Sequence, residues 1–281
     1  MIRRKIEQLK TQMTVKTRLT QIKQVCVRLL EAFANVCAKH NLKWWVDGGT
    51  LLGAARNGKI IDWDDDVDVV MLREDYTKLI KLAEKNPHIF GINYFFQTAK
   101  TDEYLETFTK LRDNSTTALT PREYSMSHNK GMFIDIFPLD NAPELLSTRD
   151  DIGGFVRTIV KHSGQDRTLV ERKQTWSTLN HVLCQLNDRN KHSEYLMNAA
   201  FLRYTNKCVL LKKSWYEKTV MMSFENILVP VPYQIEQVLE AWYGLSWKIP
   251  KKTVFHGYVD PFTSYKEYDG LTKEEFEYLI K

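Results

Sequence analysis

Cysteine is scarce in this sequence, and its four cysteines, Cys26, Cys37, Cys184 and Cys208, include no Cys-x-x-Cys pair. A zinc ribbon is therefore not expected. Cys26 and Cys37 fall in one predicted helix, where a rise of 1.5 Å per residue separates them by about 16 Å. Because a disulfide cannot span that distance, we expect buried free thiols in a reducing compartment.

The sequence also lacks a long apolar run. No stretch approaches the ~20 residues of a membrane-spanning helix, and we find no apolar core of a secretory signal peptide at the N-terminus. The most apolar helical stretch, QVCVRLLEAFANVCA, is interrupted by Arg28 and Glu31. We therefore expect a cytoplasmic protein that is at most peripheral to the inner face of a membrane.

Charge of one sign does not dominate the composition. The formal net charge is +5, with 43% hydrophobic and 27% charged residues, which is typical of a soluble folded protein. A mild positive charge favours an anionic partner such as a nucleotide, a phosphate or a lipid surface. It is too small to predict a dedicated nucleic-acid-binding protein.

Residues 1–41 are predicted to be helical. One face carries apolar residues spaced by three or four positions, namely Leu19, Ile22, Cys26, Leu29, Phe33, Val36 and Cys37. The stretch from Met1 to Gln24 holds seven Lys or Arg against one Glu. A solvated helix packed on the domain explains this segment, and an interfacial helix lying on anionic lipid is the alternative.

Residues 42–140 alternate between short apolar segments and amphipathic ones. Strands are predicted at KWWVDGG, DVDVVML, INYFFQTA, ETFTKLRD and GMFIDIFPLD, the last closed by Pro138. Helices are predicted at TLLGAAR, ended by Asn57 and Gly58, and at REDYTKLIKLAEKN, ended by Pro87. This pattern indicates a mixed-sheet core with flanking helices.

After Asn141 the pattern becomes mostly helical. A hairpin is predicted at WYEKTVMMSFENILVPVP, Gly244 ends the helix YQIEQVLEAWYG, and a capped helix begins near Thr272. We find no repeat, low-complexity tract or flexible linker in the sequence. We therefore expect one α+β unit, in which residues 141–281 form a mostly helical part of the same compact body.

Five aspartates occupy seven consecutive positions, namely Asp62, Asp64, Asp65, Asp66 and Asp68. Like charges this close repel one another, so water or a metal ion must offset the repulsion. On a strand, residues two apart share a face, so Asp66 and Asp68 are predicted to point to one side while Val67 enters the core. Hard divalent cations bind such oxygen pairs. The other three aspartates have a plainer interpretation as solvated loop residues.

Asp135 interrupts the apolar segment FIDIF. A carboxylate in such a strand is costly unless it is paired or bound to a metal. A buried, hydrogen-bonded Asp explains the position as well as a ligand does. If the two strands are neighbours, Asp66, Asp68 and Asp135 would make a metal site for phosphate chemistry.

Gly48 and Gly49 follow a predicted strand and precede a short helix. Glycines in that place let backbone N–H groups approach a phosphate, and the N-terminus of the helix favours an anion. A Gly pair alone is a weak signal. A Gly pair, a short helix and then Asp-x-Asp on the next strand is a much stronger one.

Three segments together resemble the LicD family, which includes the fukutin-related phosphotransferases. DGGTLLGAARNGKIIDWDDDVDVVM is similar to its specific first signature, GMFIDIFPLDNAP to its second block, and FENILVPVP…VLEAWYG…KIP to its looser C-terminal block. These segments occur in the family's order and cover most of residues 20–250. The chain has no cysteine cluster like the zinc-finger insertion of the fukutin-related protein, and so resembles a small, microbial-type member.

The resemblance implies a nucleotidyltransferase-like fold for residues 42–140. It also implies transfer of a phospho-alcohol, such as phosphocholine or phosphoribitol, from a CDP-linked donor to a glycan or glycolipid hydroxyl, with release of CMP. Acceptors of this kind include teichoic acid and lipopolysaccharide. Carried over onto this chain, Asp66, Asp68 and Asp135 hold Mg²⁺ (or Mn²⁺), and Asp135 is also a candidate general base.

A reaction of this kind also predicts which residues of the chain bind the donor. The residues expected to contact its phosphates are Gly48, Gly49, Thr50, Arg56, Lys110 and Arg112. The three cations would neutralise charge on the leaving group, although each could be an ordinary surface residue. Trp63 or Tyr124 could stack on the cytosine, or could belong to the core.

Two other functions remain open from the sequence. A glycosyltransferase also uses Asp-x-Asp to bind Mn²⁺ and a sugar nucleotide, but it needs neither the Gly pair nor a third strand carboxylate. A non-catalytic metal-binding or glycan-binding protein would bind the metal without turning over a donor. Release of CMP, of UDP or of neither product separates the three hypotheses.

Overall fold

The computed structural model describes residues 15–103, 105–121, 123–144, 146–162, 168–203, 208–252 and 258–280. The helices in this part of the chain are α1 (Val15–Lys39), α2 (Gly48–Asn57), α3 (Arg73–Lys85), α4 (Leu146–His162), α5 (Leu169–Arg189), α6 (Ile235–Tyr243) and α7 (Lys273–Leu279). The strands are β1 (Trp45–Val46), β2 (Asp68–Leu72), β3 (Tyr94–Gln97), β4 (Thr109–Asp113), β5 (Thr117–Leu119), β6 (Met132–Asn141), β7 (Tyr195–Met197), β8 (Leu210–Lys212), β9 (Thr219–Phe224), β10 (Ile227–Pro232) and β11 (Tyr258–Asp260). The fold is α+β, as predicted.

A seven-stranded mixed sheet forms the centre of the protein. Five strands follow the order β1-β2-β6-β4-β3, while β7 pairs with the far end of β6 and β8 pairs with β7. Strands β2 and β6 run parallel, with Asp68 opposite Asp135, and β4 runs antiparallel to β6, with Lys110 opposite Asp135. The register therefore places two acidic side chains and one basic side chain in a row across three adjacent strands.

Helix α1 supplies much of the main core. Its predicted apolar face is buried from Ile22 to Cys37, and Cys26 and Cys37 are buried free thiols, as expected. The basic N-terminal stretch lies mostly in residues 1–14, outside the described residues, so its contact with lipid stays a prediction. Among the helices that the structure describes, each is too short or too polar to traverse a bilayer.

The C-terminal part holds both helices and strands. The predicted hairpin is confirmed as β9 and β10, α6 ends at Gly244, and the Thr272 hydroxyl caps α7. Three short strands, β7, β8 and β11, are not predicted by the sequence pattern. Each has three residues and gains its hydrogen bonds from a distant partner, so local periodicity does not reveal it.

Two predicted strand boundaries are wrong. The strand expected to start at Asp66 starts at Asp68, although Val67 is buried and its carbonyl accepts from the Asp135 N–H. Pro138 does not close β6, which continues to Asn141. On one side of β6, pairing with β4 stops at Ile136 and pairing with β7 starts at Asp140. Pro138 falls in that gap, where a missing N–H costs least.

Candidate active site

Helix α2 begins at the Gly pair, directly behind β1. Gly48 has a left-handed φ of +54°, and a Cβ atom there would lie 2.8 Å from Asp68 Oδ2. A Cβ atom on Gly49 would lie 2.7 Å from Asp64 Oδ2. The left-handed backbone therefore favours glycine at Gly48, whereas a side chain at Gly49 would displace the carboxylate of Asp64.

The acidic segment wraps around this first turn. One carboxylate oxygen from each of Asp64, Asp65 and Asp66 lies within 4.8 Å of the other two. Asp62 instead points outward and pairs with Lys59 at 2.9 Å, which agrees with the solvated interpretation for this residue. The spacing in the sequence singled out Asp66 and Asp68, but the structure also brings Asp64 and Asp65 close to Asp66.

Asp68 and Asp135 form the inner part of the cluster. Burial raises the pKa of Asp68 well above its ordinary value, and the charges of Asp66 and Asp135 add to the effect. Burial also raises the pKa of Asp135, although the ammonium of Lys110 opposes that shift. Lys110 Nζ lies 2.5 Å from Asp135 Oδ1, so this carboxylate is paired with a cation inside the protein.

Asp47 is a further carboxylate behind the Gly pair. It is 4% exposed, and its Oδ1 atom accepts no hydrogen bond from any residue that the structure describes. Burial raises its pKa to about 7. Its backbone N–H donates to the Asp68 carbonyl, and the Thr50 hydroxyl accepts from the Asp68 N–H at 2.9 Å. Both backbone groups of Asp68, its N–H and its carbonyl, are therefore hydrogen-bonded, which fixes the position of this residue.

The carboxylates open into a cavity of about 680 Å³, called the front cavity below. Its acidic lining comprises Asp64, Asp65, Asp66, Asp68, Glu106, Glu123 and Asp135. Lys110 is the single cation among the lining residues that the structure describes. Five aromatic residues also line the cavity, namely Phe108, Phe133, Phe137, Phe201 and Tyr243. An anionic ligand could enter only if a cation offset this charge.

Lys110 joins the acidic and aromatic sides of the front cavity. Its ammonium lies 3.4 Å from the centre of the Phe133 ring while it donates to Asp135. Burial acts to raise the pKa of Glu123, but the charges of Arg112 and Lys110 lower it overall. Of the three cations predicted to bind phosphate, Lys110 is therefore the one that lines the front cavity.

Two predicted phosphate-binding cations have other partners. Arg112 is fully buried and donates to Gln97 Oε1 at 2.6 Å and to the Gly131 carbonyl at 2.7 Å. Arg56 donates to the carbonyls of Trp247 and Ile249. Neither side chain lines the front cavity. Their contacts give them a structural role, and phosphate binding by either stays a prediction.

The two aromatic candidates also lie away from the cavity wall. Tyr124 stacks on Phe276 at 4.5 Å in a separate small core, which favours the core interpretation. Trp63 is half-buried and does not line the cavity. The aromatic wall comes instead from phenylalanines and a tyrosine that no sequence motif singles out.

Tyr243 and Glu123 are the main residues that sequence reasoning missed. Burial and the negative charges of Asp47 and Asp68 raise the pKa of Tyr243, which places its hydroxyl near the acidic cluster. It lies 175 positions after Asp68 in the chain, at the end of α6. No local spacing links such distant residues, although VLEAWYG was already part of the family resemblance.

The comparisons with known proteins match the part of the chain that carries this site. Residues 41–156 match the nucleotidyltransferase domain of the LicD/FKTN/FKRP family. This part of the chain, which carries the Gly pair and the aspartates, is therefore similar to a nucleotidyltransferase domain of the LicD family and to the fukutin-related proteins.

Two relatives illustrate the range of the family. The chain is 30% identical over 130 residues to the lipopolysaccharide cholinephosphotransferase LicD of Haemophilus influenzae, and the match covers 46% of each chain. It is 44% identical over 54 residues to the ribitol 5-phosphate transferase FKRP of Mus musculus, which covers 18% of this chain and 11% of the relative. The chain therefore spans less than half the length of the curated relatives that it matches.

Proposed function

We propose that the protein is a metal-dependent transferase that moves a phospho-alcohol from a CDP-linked donor to a hydroxyl of a cell-surface glycan or glycolipid. CMP is the second product. The observation that carries the proposal is the row of Asp68, Asp135 and Lys110 across β2, β6 and β4, next to the glycine turn. The relatives named for phosphocholine and ribitol phosphate transfer support the same reaction type.

The acidic residues fit a divalent metal ion. Hard cations such as Mg²⁺ or Mn²⁺ prefer carboxylate oxygens, and this cluster concentrates them beside a single lysine. The pKa of Asp68 is raised because burial and neighbouring carboxylates destabilise its ionised form, so a bound cation would stabilise that form. Asp66, Asp68 and Asp135 would hold the metal, with Asp64 or Asp65 as further oxygen donors. When bound, the metal would neutralise the diphosphate and lower the pKa of the attacking hydroxyl.

The protein's own groups would orient the donor. The first N–H groups of α2, at Gly48, Gly49 and Thr50, have no partners within the helix and would bind phosphate oxygens. Lys110 would offset the charge that develops on the departing CMP. Asp135 would accept the proton of the attacking hydroxyl, and its pair with Lys110 keeps it in the ionised form that this task needs.

The aromatic wall would receive the apolar parts of the donor. Phe133, Phe137 and Phe201 line the cavity and would offer ring faces to a cytosine or to an alkyl ammonium group. A closed apolar wall also limits the access of water, which would otherwise compete with the acceptor hydroxyl.

The test is a donor screen. The protein is incubated with Mg²⁺ and with CDP-choline, CDP-ribitol, CDP-glycerol or CDP-ethanolamine, and CMP is measured with and without glycan acceptors. We expect CMP from at least one donor and none from the Asp68→Asn variant. Release of UDP from a UDP-sugar would assign a glycosyltransferase instead. Metal binding without turnover of any donor would indicate a binding protein.

A further inference from the structure

A second and larger cavity lies at the other end of the central strands. It has a volume of about 1020 Å³, and we call it the rear cavity. Leu72 at the end of β2 and Leu139 on β6 form part of its floor. Each is four residues beyond Asp68 or Asp135, which is about 13 Å along an extended strand. No residue of the front cavity lines it.

Lysines from four separate segments converge on the rear cavity. They are Lys43 before β1, Lys78 and Lys81 on α3, Lys191 after α5, and Lys213 after β8. Lys78 is paired with Glu74. Lys43, Lys81, Lys191 and Lys213 form no ion pair with any carboxylate that the structure describes. Four lysines without an ion-pair partner among the described residues thus line one cavity, which three carboxylates, Glu74, Asp188 and Glu217, also line.

Lys213 shows the clearest effect of this arrangement. Its side chain is half-buried, and burial lowers the pKa of its ammonium. Its ammonium group donates a hydrogen bond of 2.9 Å to the backbone carbonyl of Lys191. An anion between these segments would replace the water that Lys213 loses on burial.

The floor of the rear cavity is already neutral. Arg73 is buried there and donates two hydrogen bonds of 2.6 Å to the carboxylate of Asp140. Trp45 and Tyr216 are also buried beneath the cavity, with ring centres 5.1 Å apart. The unbalanced positive charge therefore comes from the lysines around the opening.

We propose that the rear cavity binds the phosphate group of a small soluble phosphorylated molecule, held by Lys81, Lys191 and Lys213. This site is distinct from the donor site, since the two cavities lie at opposite ends of the central strands, share no lining residue and carry opposite charges. It does not depend on the proposed reaction, because binding needs neither the metal nor a CDP-linked donor.

The experiment is a titration of inorganic pyrophosphate by calorimetry, with chelator present so that the aspartates of the front cavity recruit no metal. We expect saturable binding to the wild-type protein with a dissociation constant below about 1 mM. The double variant Lys81→Gln/Lys213→Gln should weaken it by about tenfold or more, since each lost charge removes a charge-assisted hydrogen bond.

Two further variants test whether binding is specific to the rear cavity. Lys251→Gln/Lys252→Gln removes the same charge from an exposed segment outside the cavity and should leave the affinity unchanged. Asp68→Asn should also leave it unchanged, whether or not transfer activity exists. No saturable binding, or equal weakening by both lysine pairs, would overturn the proposal. So would lysine-dependent binding to vesicles containing phosphatidic acid without any binding of pyrophosphate, since the ligand would then be a lipid headgroup.

Discussion

The front and rear cavities stand at opposite ends of the same two strands and differ most in their charge. Seven carboxylates and one lysine line the front cavity, whereas five lysines, one arginine and three carboxylates line the rear cavity. Both contain a buried ion pair, Lys110 with Asp135 in front and Arg73 with Asp140 behind. Each cavity therefore has one buried ion pair, and the excess charge around that pair must be neutralised by a ligand or solvated by water.

The two pairs differ in what surrounds them. Asp140 meets Arg73 through two hydrogen bonds, and both residues are well buried. Asp135 meets Lys110 through one hydrogen bond and has Asp68 directly opposite on the neighbouring strand. A pair with matched geometry stabilises a fold, while a pair beside excess charge is suited to exchanging partners during a reaction.

The largest expected effect is on catalysis at the front cavity. Asp68→Asn keeps the size of the side chain and removes one ligand charge, so transfer should fall by at least about 100-fold in Mg²⁺. The fold should survive, because removing a buried carboxylate relieves repulsion. CMP release and thermal melting in chelator measure the two effects.

Asp62→Asn is the matched control for Asp68→Asn. Asp62 belongs to the same run of aspartates but is exposed and paired with Lys59. Its loss should leave turnover within about twofold of wild type, as expected for an exposed pair. Wild-type turnover by Asp68→Asn would contradict the site assignment.

The second prediction compares the two buried ion pairs directly. Arg73→Met leaves Asp140 without its counter-ion and should lower the free energy of unfolding by about 3–5 kcal/mol. Lys110→Met should lower it by less, because Asp135 lines the front cavity, where water can reach its carboxylate, whereas Asp140 is only 1% exposed. Denaturant unfolding measures both changes.

Activity per folded molecule should reverse that order. We expect Lys110→Met to lose transfer activity and Arg73→Met to keep it, since Arg73 does not line the front cavity. Lys100→Met, which breaks an exposed pair with Glu84, should change stability by no more than about 1 kcal/mol. If Lys110→Met were the less stable variant and fully active, the comparison of the two pairs would fail.

Much of the front cavity could be predicted from the sequence, and none of the rear cavity. The alternation around Val67 and the apolar context of Asp135 predicted two acidic strands, and the parallel register then brought Asp68 opposite Asp135. Lys110 was predicted as a phosphate-binding cation, but its pairing with Asp135 depends on the register of β4, which no local pattern specifies.

The rear cavity is assembled from segments that share no motif. Lys43, Lys81, Lys191 and Lys213 each look like an ordinary solvated lysine in the sequence. Only the pairing of β7 with β6 and of β8 with β7 brings Lys191 and Lys213 next to α3. Those strands have three residues each, so their alternation of apolar and polar residues is too short to be recognised in the sequence.

The third prediction concerns the space in front of α2. In Gly49→Ala, the new methyl group would lie 2.7 Å from Asp64 Oδ2, so the carboxylate must move away from the helix. Transfer should fall by about tenfold, with a small change in stability. Gly154→Ala is the control, because a Cβ atom there meets nothing within 4 Å. It should be active and, on α4, no less stable than wild type. Equal activity of the two variants would show that Asp64 has no role.

The last prediction concerns the pH dependence of stability caused by Asp47. Its pKa in the folded protein is about 7, against an ordinary value of 3.8, so the folded state binds a proton more tightly than the unfolded chain does. This contribution to stability is fully present below about pH 4, is lost as the pH rises from about 4 to about 7, and amounts to about 4 kcal/mol. Asp47→Asn keeps the side chain neutral and avoids this loss.

Melting temperatures of wild type and Asp47→Asn, measured in chelator at pH 5 and pH 8, test the assignment. The advantage of Asp47→Asn should be larger at pH 8, because the wild-type carboxylate is then ionised while its Oδ1 atom lacks a hydrogen bond. Asp62→Asn should show no such trend, since Asp62 is exposed. A difference that stays constant between the two pH values would mean that Asp47 is already ionised at pH 5. Asp47 would then be a buried carboxylate that stays ionised behind the Gly pair, and the contrast with the neutral floor of the rear cavity would be greater still.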